Sequence, residues 1–198
     1  MDPAPSPPNE DSRRERLLDA ALQAFLRYGF RKTSMEEVAR GAGLSRQALY
    51  LHFETKEVLF RAAVRHALEL GLRAASEQLG ATDTRLADRL VGAFDEWVGR
   101  YVGLWGADVS DLEEASHRLV GGLIDEYEER FRDAVAKGIR ASTLAAAFKP
   151  LGISPRQLAD TLGATARGLK HAAKTRADFH ERFTIAVRAL CFPLKGRA

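Results

Sequence analysis

Residues 33–53, TSMEEVARGAGLSRQALYLHF, constrain the fold more than any other part of the chain. Their pattern predicts two short helices joined by a turn that contains a glycine. Four apolar residues in the first half have the i, i+3, i+4, i+7 spacing of a helix with one buried face: Met35, Val38, Ala39 and Ala42. Gly43 then supplies the left-handed residue that commonly ends a helix.

Both predicted helices begin next to a residue that can cap them. Thr33 stands three residues before Glu36, and Ser34 stands three residues before Glu37, so either pair can form a capping box. Ser45 can cap the second helix, which is polar at its start and aromatic and basic further on. Two helices of this kind can present the second one to the major groove, which predicts a helix-turn-helix that recognises DNA.

Composition places the chain in a broad class without deciding its function. The 198 residues carry 30 basic and 27 acidic side chains, so the net charge of +3 is weak support for a nucleic-acid partner. The single cysteine, Cys191, permits no internal disulfide and fits a reducing cytosol. No run approaches the ~18 apolar residues of a membrane span. We therefore expect a cytoplasmic protein, with residues 1–12 as a disordered leader that has no signal-peptide pattern.

Helical spacing recurs through the rest of the chain, and no segment sustains two-residue alternation, so the sequence predicts an all-α protein. Beyond the central pair, the predicted helices cover residues 12–28, 56–79, 86–105, 119–139, 155–174 and 178–192. Residues 140–152 are ambiguous. Alanines favour a helix at 143–148, and Pro150 and Gly152 end it.

The segment GFRKTSMEEVARGAGLSRQALYLHFETKEVLF closely resembles the N-terminal DNA-binding domain of TetR-family transcriptional regulators. Its most specific parts are the TS-x-x-E-V-A opening, the A-G-L-S turn and the L-Y-x-H-F-x-x-K-E-x-L-F run. The resemblance covers residues 13–60 and implies that they form a three-helix helix-turn-helix domain. It also implies that residues 61–198 form a larger helical domain for ligand binding and dimerisation.

The same resemblance implies which residues contact DNA: Thr33, Ser45, Arg46, Gln47, Tyr50, His52 and Lys56. Gln47 can make a bidentate contact to adenine, and Arg46 can bind guanine or phosphate. Tyr50 and His52 can reach phosphate or the methyl edge of thymine. Many family members have a small residue in place of Gln47 and an aromatic or basic one in place of Leu51, so base preference does not transfer.

Phosphate contacts are expected at the ends of the helices. Thr33 opens the first motif helix, where its hydroxyl and the free helix amides can bind a phosphate. Lys56 begins the next long helix as a phosphate anchor. The arginines within residues 13–16 suit a nearby phosphate or a solvated charged face. Two alternatives stay open: Ser45 as a cap only, and His52 as a packing histidine.

An aromatic set marks the candidate ligand site in the C-terminal part: Phe94, Trp97, Tyr101 and Trp105, facing Tyr127 and Phe131. Aromatic residues at helical spacing are also typical of a plain core. The polar atoms of tyrosine and tryptophan favour a pocket, because a core must satisfy them. The expected effector is a small, largely apolar molecule.

The last two predicted helices combine small residues with aromatic ones and are the expected homodimer surface. No metal site, cofactor or catalytic residue is predicted, because His117 and His171 are isolated. The predicted function is that of a repressor that binds a palindromic operator as a homodimer and is released by a ligand. Alternatives are a ligand-independent regulator or an activator. A ligand carrier or a small helical enzyme using His117, Tyr127 or His171 is a further alternative, but the chain has no nucleophile elbow or phosphate loop.

Overall fold

The computed structural model describes residues 10–104 and 109–192. Every regular element in these ranges is helical, which confirms the all-α prediction. The α-helices are α1 Glu10–Lys32, α2 Met35–Gly41, α3 Arg46–His52, α4 Lys56–Gly80, α5 Leu86–Trp97, α6 Val109–Arg140, α7 Thr143–Phe148, α8 Pro155–Ala172 and α9 Arg176–Cys191. Two 3₁₀ turns occupy Gly99–Tyr101 and Lys149–Leu151. None of these helices is long and apolar enough to span a bilayer.

The chain divides into two compact units. Among the described residues, the first, here called the head unit, comprises 10–68 and 109–123, and the second, the C-terminal unit, comprises 69–104 and 124–192. The residues of α4 and α6 are therefore shared between the two units. A domain boundary at residue 60 stays a prediction. Residues 1–9 of the expected leader and Trp105 of the expected ligand site lie outside the described residues.

Three phenylalanines form the centre of the head unit. Phe25 packs edge-on against Phe60 with ring centroids 4.9 Å apart, and Phe30 lies 5.8 Å from Phe25 and 5.3 Å from Phe60. All three side chains are buried, together with Leu17 and Leu18 of α1. Edge-to-face pairs of this kind add to the stabilisation from buried area.

The predicted end of α1 corresponds to a real break. At Gly29 the backbone is not helical (φ 81°, ψ 171°), although a further helical turn continues to Lys32. The break places Phe30 next to Phe25 and Phe60. The helix predicted over residues 12–28 therefore ends next to this break, while the chain is helical for three more residues.

Phenylalanines also fill the core of the C-terminal unit. Phe94 of α5 packs against Phe131 of α6 at 4.9 Å and against Phe183 of α9 at 4.7 Å between ring centroids. Phe179 stacks on Phe183 at 5.6 Å. These four side chains are at most 4% exposed. The apolar periodicity of three separate helices thus converges on one core.

Two predicted helix boundaries are wrong. The helix expected over residues 86–105 ends at Trp97, and the chain turns at Gly103, whose φ of 79° would strain any residue with a Cβ. The helix expected over 119–139 begins ten residues earlier, at Val109. Leu112, Ala115 and Leu119 continue its buried face at steps of three and four residues, which explains the extension.

A buried carboxylate joins the start of α6 to the end of α1 within the head unit. Asp111 has a side chain only 6% exposed. It accepts a hydrogen bond from the backbone N–H of Arg31 at 2.7 Å and forms an ion pair with the Arg31 guanidinium at 3.2 Å. The exposed Glu114 accepts from the same guanidinium at 2.9 Å. Asp111 also lies in the first turn of α6, where the helix dipole favours a negative charge.

We expect Asp111→Ala to lower the free energy of unfolding by about 1–3 kcal/mol, because the part-buried N–H of Arg31 loses its acceptor. The matched control is Glu114→Ala, which removes only an exposed ion pair and costs less than about 1 kcal/mol. Urea denaturation followed by circular dichroism measures both. Equal losses in the two variants would contradict the role given to Asp111.

Candidate nucleic-acid interface

Ser34, rather than Thr33, caps α2. The Ser34 hydroxyl accepts from the backbone N–H of Glu37 at 3.2 Å, and the Ser34 N–H donates to the Glu37 carboxylate at 2.9 Å. This is a complete capping box, one of the two that the sequence allowed. Hydrogen bonds from the backbone and side chain of Ser34 hold the pKa of Glu37 below its usual value.

Thr33 turns inward instead of toward solvent. Its side chain is 1% exposed, and its hydroxyl donates to the carbonyl of Gly29 at 2.7 Å and lies 3.1 Å from the carbonyl of Ala24. The expectation that this hydroxyl holds a phosphate therefore needs correction, because it is buried and already bonded. Its observed role is to tie the end of α1 to the start of α2.

The turn between α2 and α3 has the geometry that the sequence predicted. Gly43 has φ 68°, which glycine adopts without the steric cost that a side chain would impose. The N–H of Leu44 donates to the carbonyl of Ala39 at 2.8 Å, and the N–H of Gly43 donates to that of Arg40 at 3.2 Å. These two bonds form a Schellman motif, which satisfies carbonyls at the end of α2.

One cap and two buried side chains fix α3. The Ser45 hydroxyl accepts from the backbone N–H of Ala48 at 3.1 Å. Leu49 is 0% exposed and Phe53 is 4% exposed, so both side chains face the core. Because these residues face inward, the remaining side of the seven-residue helix faces outward.

Four of the expected DNA-contacting residues lie on this outward side: Arg46, Gln47, Tyr50 and His52, all of them exposed. The guanidinium carbon of Arg46 lies 5.6 Å from the ring centroid of Tyr50, a cation–π contact that stiffens both side chains. The exposure of His52 disfavours the packing alternative. Leu51, which the sequence prediction omitted, is also exposed on this helix.

Lys56 is tied to its own chain. Its ammonium group donates to the carbonyl of Thr33 at 3.1 Å and of Arg31 at 3.3 Å, and it lies 4.7 Å from the ring centroid of Phe30. An ammonium group has three N–H donors. The expected phosphate anchor therefore has one donor beyond these two bonds, and its main contacts hold the α1–α2 junction.

The arginines at the start of α1 are exposed. The guanidinium carbon of Arg14 lies 6.0 Å from the ring centroid of Phe53, the residue that ends α3. Arg16 donates to the carbonyl of Ser12 at 3.2 Å. The cluster thus adds positive charge to the head unit, and Arg14 brings part of it next to α3.

Comparison with known sequences identifies this arrangement. The profile of the bacterial regulatory proteins of the tetR family matches residues 17–63. The HTH-type transcriptional regulator YfiR of Bacillus subtilis is 37% identical over 73 residues, which cover 37% of this chain and 36% of YfiR. RutR of Escherichia coli is 36% identical over 61 residues, which cover 31% of this chain and 29% of RutR. Residues 17–63 belong to the TetR family of HTH transcriptional regulators.

The aligned segments span only 36% and 29% of the length of these two curated relatives. Whole-chain likeness is found among solved structures of TetR-type fold. Reduced NemR of Escherichia coli is 18% identical, with a TM-score of 0.67 over 90% of this chain and 96% of NemR. A transcriptional regulator of Saccharomonospora viridis, solved in complex with choline, is 17% identical, with a TM-score of 0.66 over 91% of this chain and 97% of that one. At these identities the likeness shows the fold alone.

The family that residues 17–63 match is one of regulatory proteins, and both curated relatives are HTH-type transcriptional regulators. The described residues hold no group of three or more histidine, cysteine or acidic side chains placed to bind a metal ion.

The expected ligand-site aromatics lie mainly in the core of the C-terminal unit. Phe94, Tyr127 and Phe131 are buried, and Trp97 stacks on Phe131 with centroids 4.9 Å apart. The hydroxyl of Tyr127 lies 3.2 Å from the Glu69 carboxylate, so its polar atom has a partner. These contacts are those of a packed core.

The other two expected aromatics do not extend this set. Tyr101 lies in the 3₁₀ turn after α5 and is half-buried, rather than continuing the helical face of Phe94 and Trp97. Trp105 is outside the described residues. The single continuous aromatic stripe predicted from the sequence is therefore interrupted after Trp97.

We expect Ser45→Ala to destabilise α3 by about 1 kcal/mol, because the N–H of Ala48 loses its acceptor. Ser45→Asp is the matched control, since aspartate caps a helix about as well as serine. Hydrogen exchange at the amides of α3 measures the change directly: faster exchange is expected in the alanine variant and not in the aspartate variant. Unchanged exchange in both would show that the cap does not stabilise the helix.

Proposed function

We propose that this TetR-family regulator binds an operator in double-stranded DNA through α3 and represses transcription in the cytoplasm. The observation that carries the proposal is the capped seven-residue helix, which buries Leu49 and exposes Arg46 and Gln47. A helix presented in this way fits the major groove, whose base edges carry a distinct donor and acceptor pattern for each base pair.

Each exposed side chain has a proposed role. Gln47 donates to and accepts from adenine, and Arg46 binds guanine or a phosphate. Tyr50 and His52 bind the phosphate backbone beside the groove. Ser45 contributes through the helix N-terminus that it caps. Thr33 has no direct role in this scheme, and Lys56 contributes at most the donor left over from its internal bonds.

We also propose that the protein is a homodimer through α8 and α9. On the outer side of α9 the Ile185 side chain is 64% exposed. Phe192, which follows the end of α9, is 73% exposed. On α8, Ala164, Gly168 and Ala172 are exposed and leave room for a close approach. The same surface on two copies forms an isologous interface around a two-fold axis. Two heads related in that way require a palindromic operator.

We expect Ile185→Glu to convert the dimer to a monomer, because the charge would be buried without a partner in the interface. The matched control is Leu151→Glu, which changes a residue of similar exposure, 60%, outside α8 and α9. Sedimentation velocity measures the molecular mass of each variant. A dimeric Ile185→Glu protein, or a monomeric control, would contradict this interface.

The proposed signal is a small, largely apolar ligand of the region from residue 61 onward, which releases the protein from DNA. The fold relative of Saccharomonospora viridis was solved with choline, which supports the idea that a protein of this fold accepts a small molecule. A ligand alters DNA affinity only through its different affinity for the two conformations. Operator affinity measured with and without saturating candidate ligands separates this proposal from the alternative of a ligand-independent regulator or activator.

We expect the double variant Arg46→Ala with Gln47→Ala to lose its preference for the operator over unrelated DNA. Each bidentate base contact is worth about 1–3 kcal/mol of discrimination. The matched control is Arg73→Ala with Gln78→Ala, which removes an exposed arginine and glutamine from the C-terminal unit. Fluorescence anisotropy against an operator selected from random DNA measures both.

The salt dependence of the same titrations tests the class of partner. Operator binding by the wild type should weaken steeply as salt rises, because phosphate contacts release counterions. Retained operator preference in the double variant would remove Arg46 and Gln47 from the recognition surface. The absence of specific DNA binding by the wild type would favour a ligand carrier.

A further inference from the structure

Leu51 is the most exposed large hydrophobic side chain of the described residues, at 83%. Single exposed apolar residues are common on protein surfaces, so exposure alone assigns no role. The position of Leu51 is more informative than its exposure. It lies in α3, whose other leucine, Leu49, is completely buried. The one helix proposed to enter the groove therefore presents a free leucine.

Helix geometry places Leu51 at the centre of the outward face. Successive residues are rotated by about 100° around a helix. Leu51 follows the buried Leu49 by two residues and precedes the buried Phe53 by two, so it projects from the opposite side of α3. Gln47 precedes it by four residues and lies on the same face.

The flank of this face is already occupied by a polar pair. The guanidinium of Arg46 lies against the ring of Tyr50, 5.6 Å from its centroid. With a rotation of about 100° per residue, Arg46 and Tyr50 both lie to one side of Leu51, the side nearer to Phe53. The centre of the face is left to Gln47 and Leu51.

A leucine side chain has no hydrogen-bonding atom, which limits what it can recognise in DNA. The apolar group that a base edge presents in the major groove is the C5-methyl of thymine. We propose that Leu51 contacts the C5-methyl of a thymine in each half of the operator and selects for that base. This inference rests on the proposed function, namely that α3 enters the major groove.

The spacing along α3 locates the thymine relative to the base that Gln47 contacts. Four residues advance about 6 Å along a helix axis. Base pairs are spaced by about 3.4 Å along each strand. The thymine is therefore within about two base pairs of the base that Gln47 contacts. If that base is adenine, the operator has an A·T pair at each of these two positions.

The test replaces thymines of the selected operator one at a time by deoxyuridine, which pairs identically and lacks the methyl group. The same position is replaced in both half-sites. Fluorescence anisotropy gives the dissociation constants of the wild type, of Leu51→Ala and of the control Leu151→Ala, which removes another exposed leucine. Circular dichroism melting verifies that the exposed substitutions leave the fold intact.

We expect one thymine position at which deoxyuridine weakens wild-type binding about fourfold per half-site, since burial of one methyl-sized group contributes about that factor. Replacement in both half-sites should weaken binding roughly 15-fold. Leu51→Ala should bind the thymine and deoxyuridine sites equally, and Leu151→Ala should behave as the wild type.

Three outcomes overturn the inference in distinguishable ways. An operator whose deoxyuridine response is the same in wild type and in Leu51→Ala overturns the role of Leu51 and leaves the proposed function standing. Wild-type binding that is insensitive to deoxyuridine at every thymine also overturns the role of Leu51 and leaves the proposed function standing. Selection that enriches no DNA sequence overturns the proposed function, and the inference with it.

Discussion

The burial of Leu49 is the constraint on which the proposed DNA-binding surface depends. A seven-residue helix is too short to be stable by itself, because nucleation costs more than so few hydrogen bonds return. Tertiary packing must therefore hold α3, and the completely buried Leu49 with the nearly buried Phe53 provides it. Since these two side chains fix the rotation of the helix about its axis, they also determine which residues face outward. The identity of the exposed surface is thus a consequence of packing underneath it.

Local chemistry was sufficient to predict most of the head. The left-handed turn at Gly43 and the cap at Ser45 follow from residue type and spacing alone. The choice between Thr33 and Ser34 as the cap of α2 did not follow, because both stand three residues before a glutamate. That choice depends on the carbonyls of Ala24 and Gly29, which α1 places beside the Thr33 hydroxyl. The Ala24 carbonyl is nine residues away in the sequence, and the nearer carbonyl belongs to Gly29, where α1 breaks. The capping pattern alone therefore predicts neither bond.

The C-terminal unit shows a different limit of sequence reasoning. The aromatic stripe of α5 has correct helical spacing as far as Trp97, but periodicity contains no signal for where a helix stops, and the chain turns at Gly103. Periodicity also identifies a buried face without saying what covers it. Phe94 meets Phe131 and Phe183 from two other helices, so its face is filled by this chain's own rings. A ligand pocket and a packed core give the same pattern in the sequence. Only the groups that cover the apolar face, a ligand or the chain's own side chains, distinguish them.

Lys56 shows how a positive charge near a nucleic-acid interface can serve the fold. A lysine at the start of a helix is disfavoured by the helix dipole, so its presence at the first residue of α4 calls for compensation. The compensation comes from the carbonyls of Arg31 and Thr33 and the ring of Phe30, all at the junction of α1 and α2. The contacts join this junction to the start of α4, immediately after α3 ends. Motif matching assigns Lys56 to phosphate binding, whereas the contacts of its ammonium group are to the backbone and ring of the α1–α2 junction.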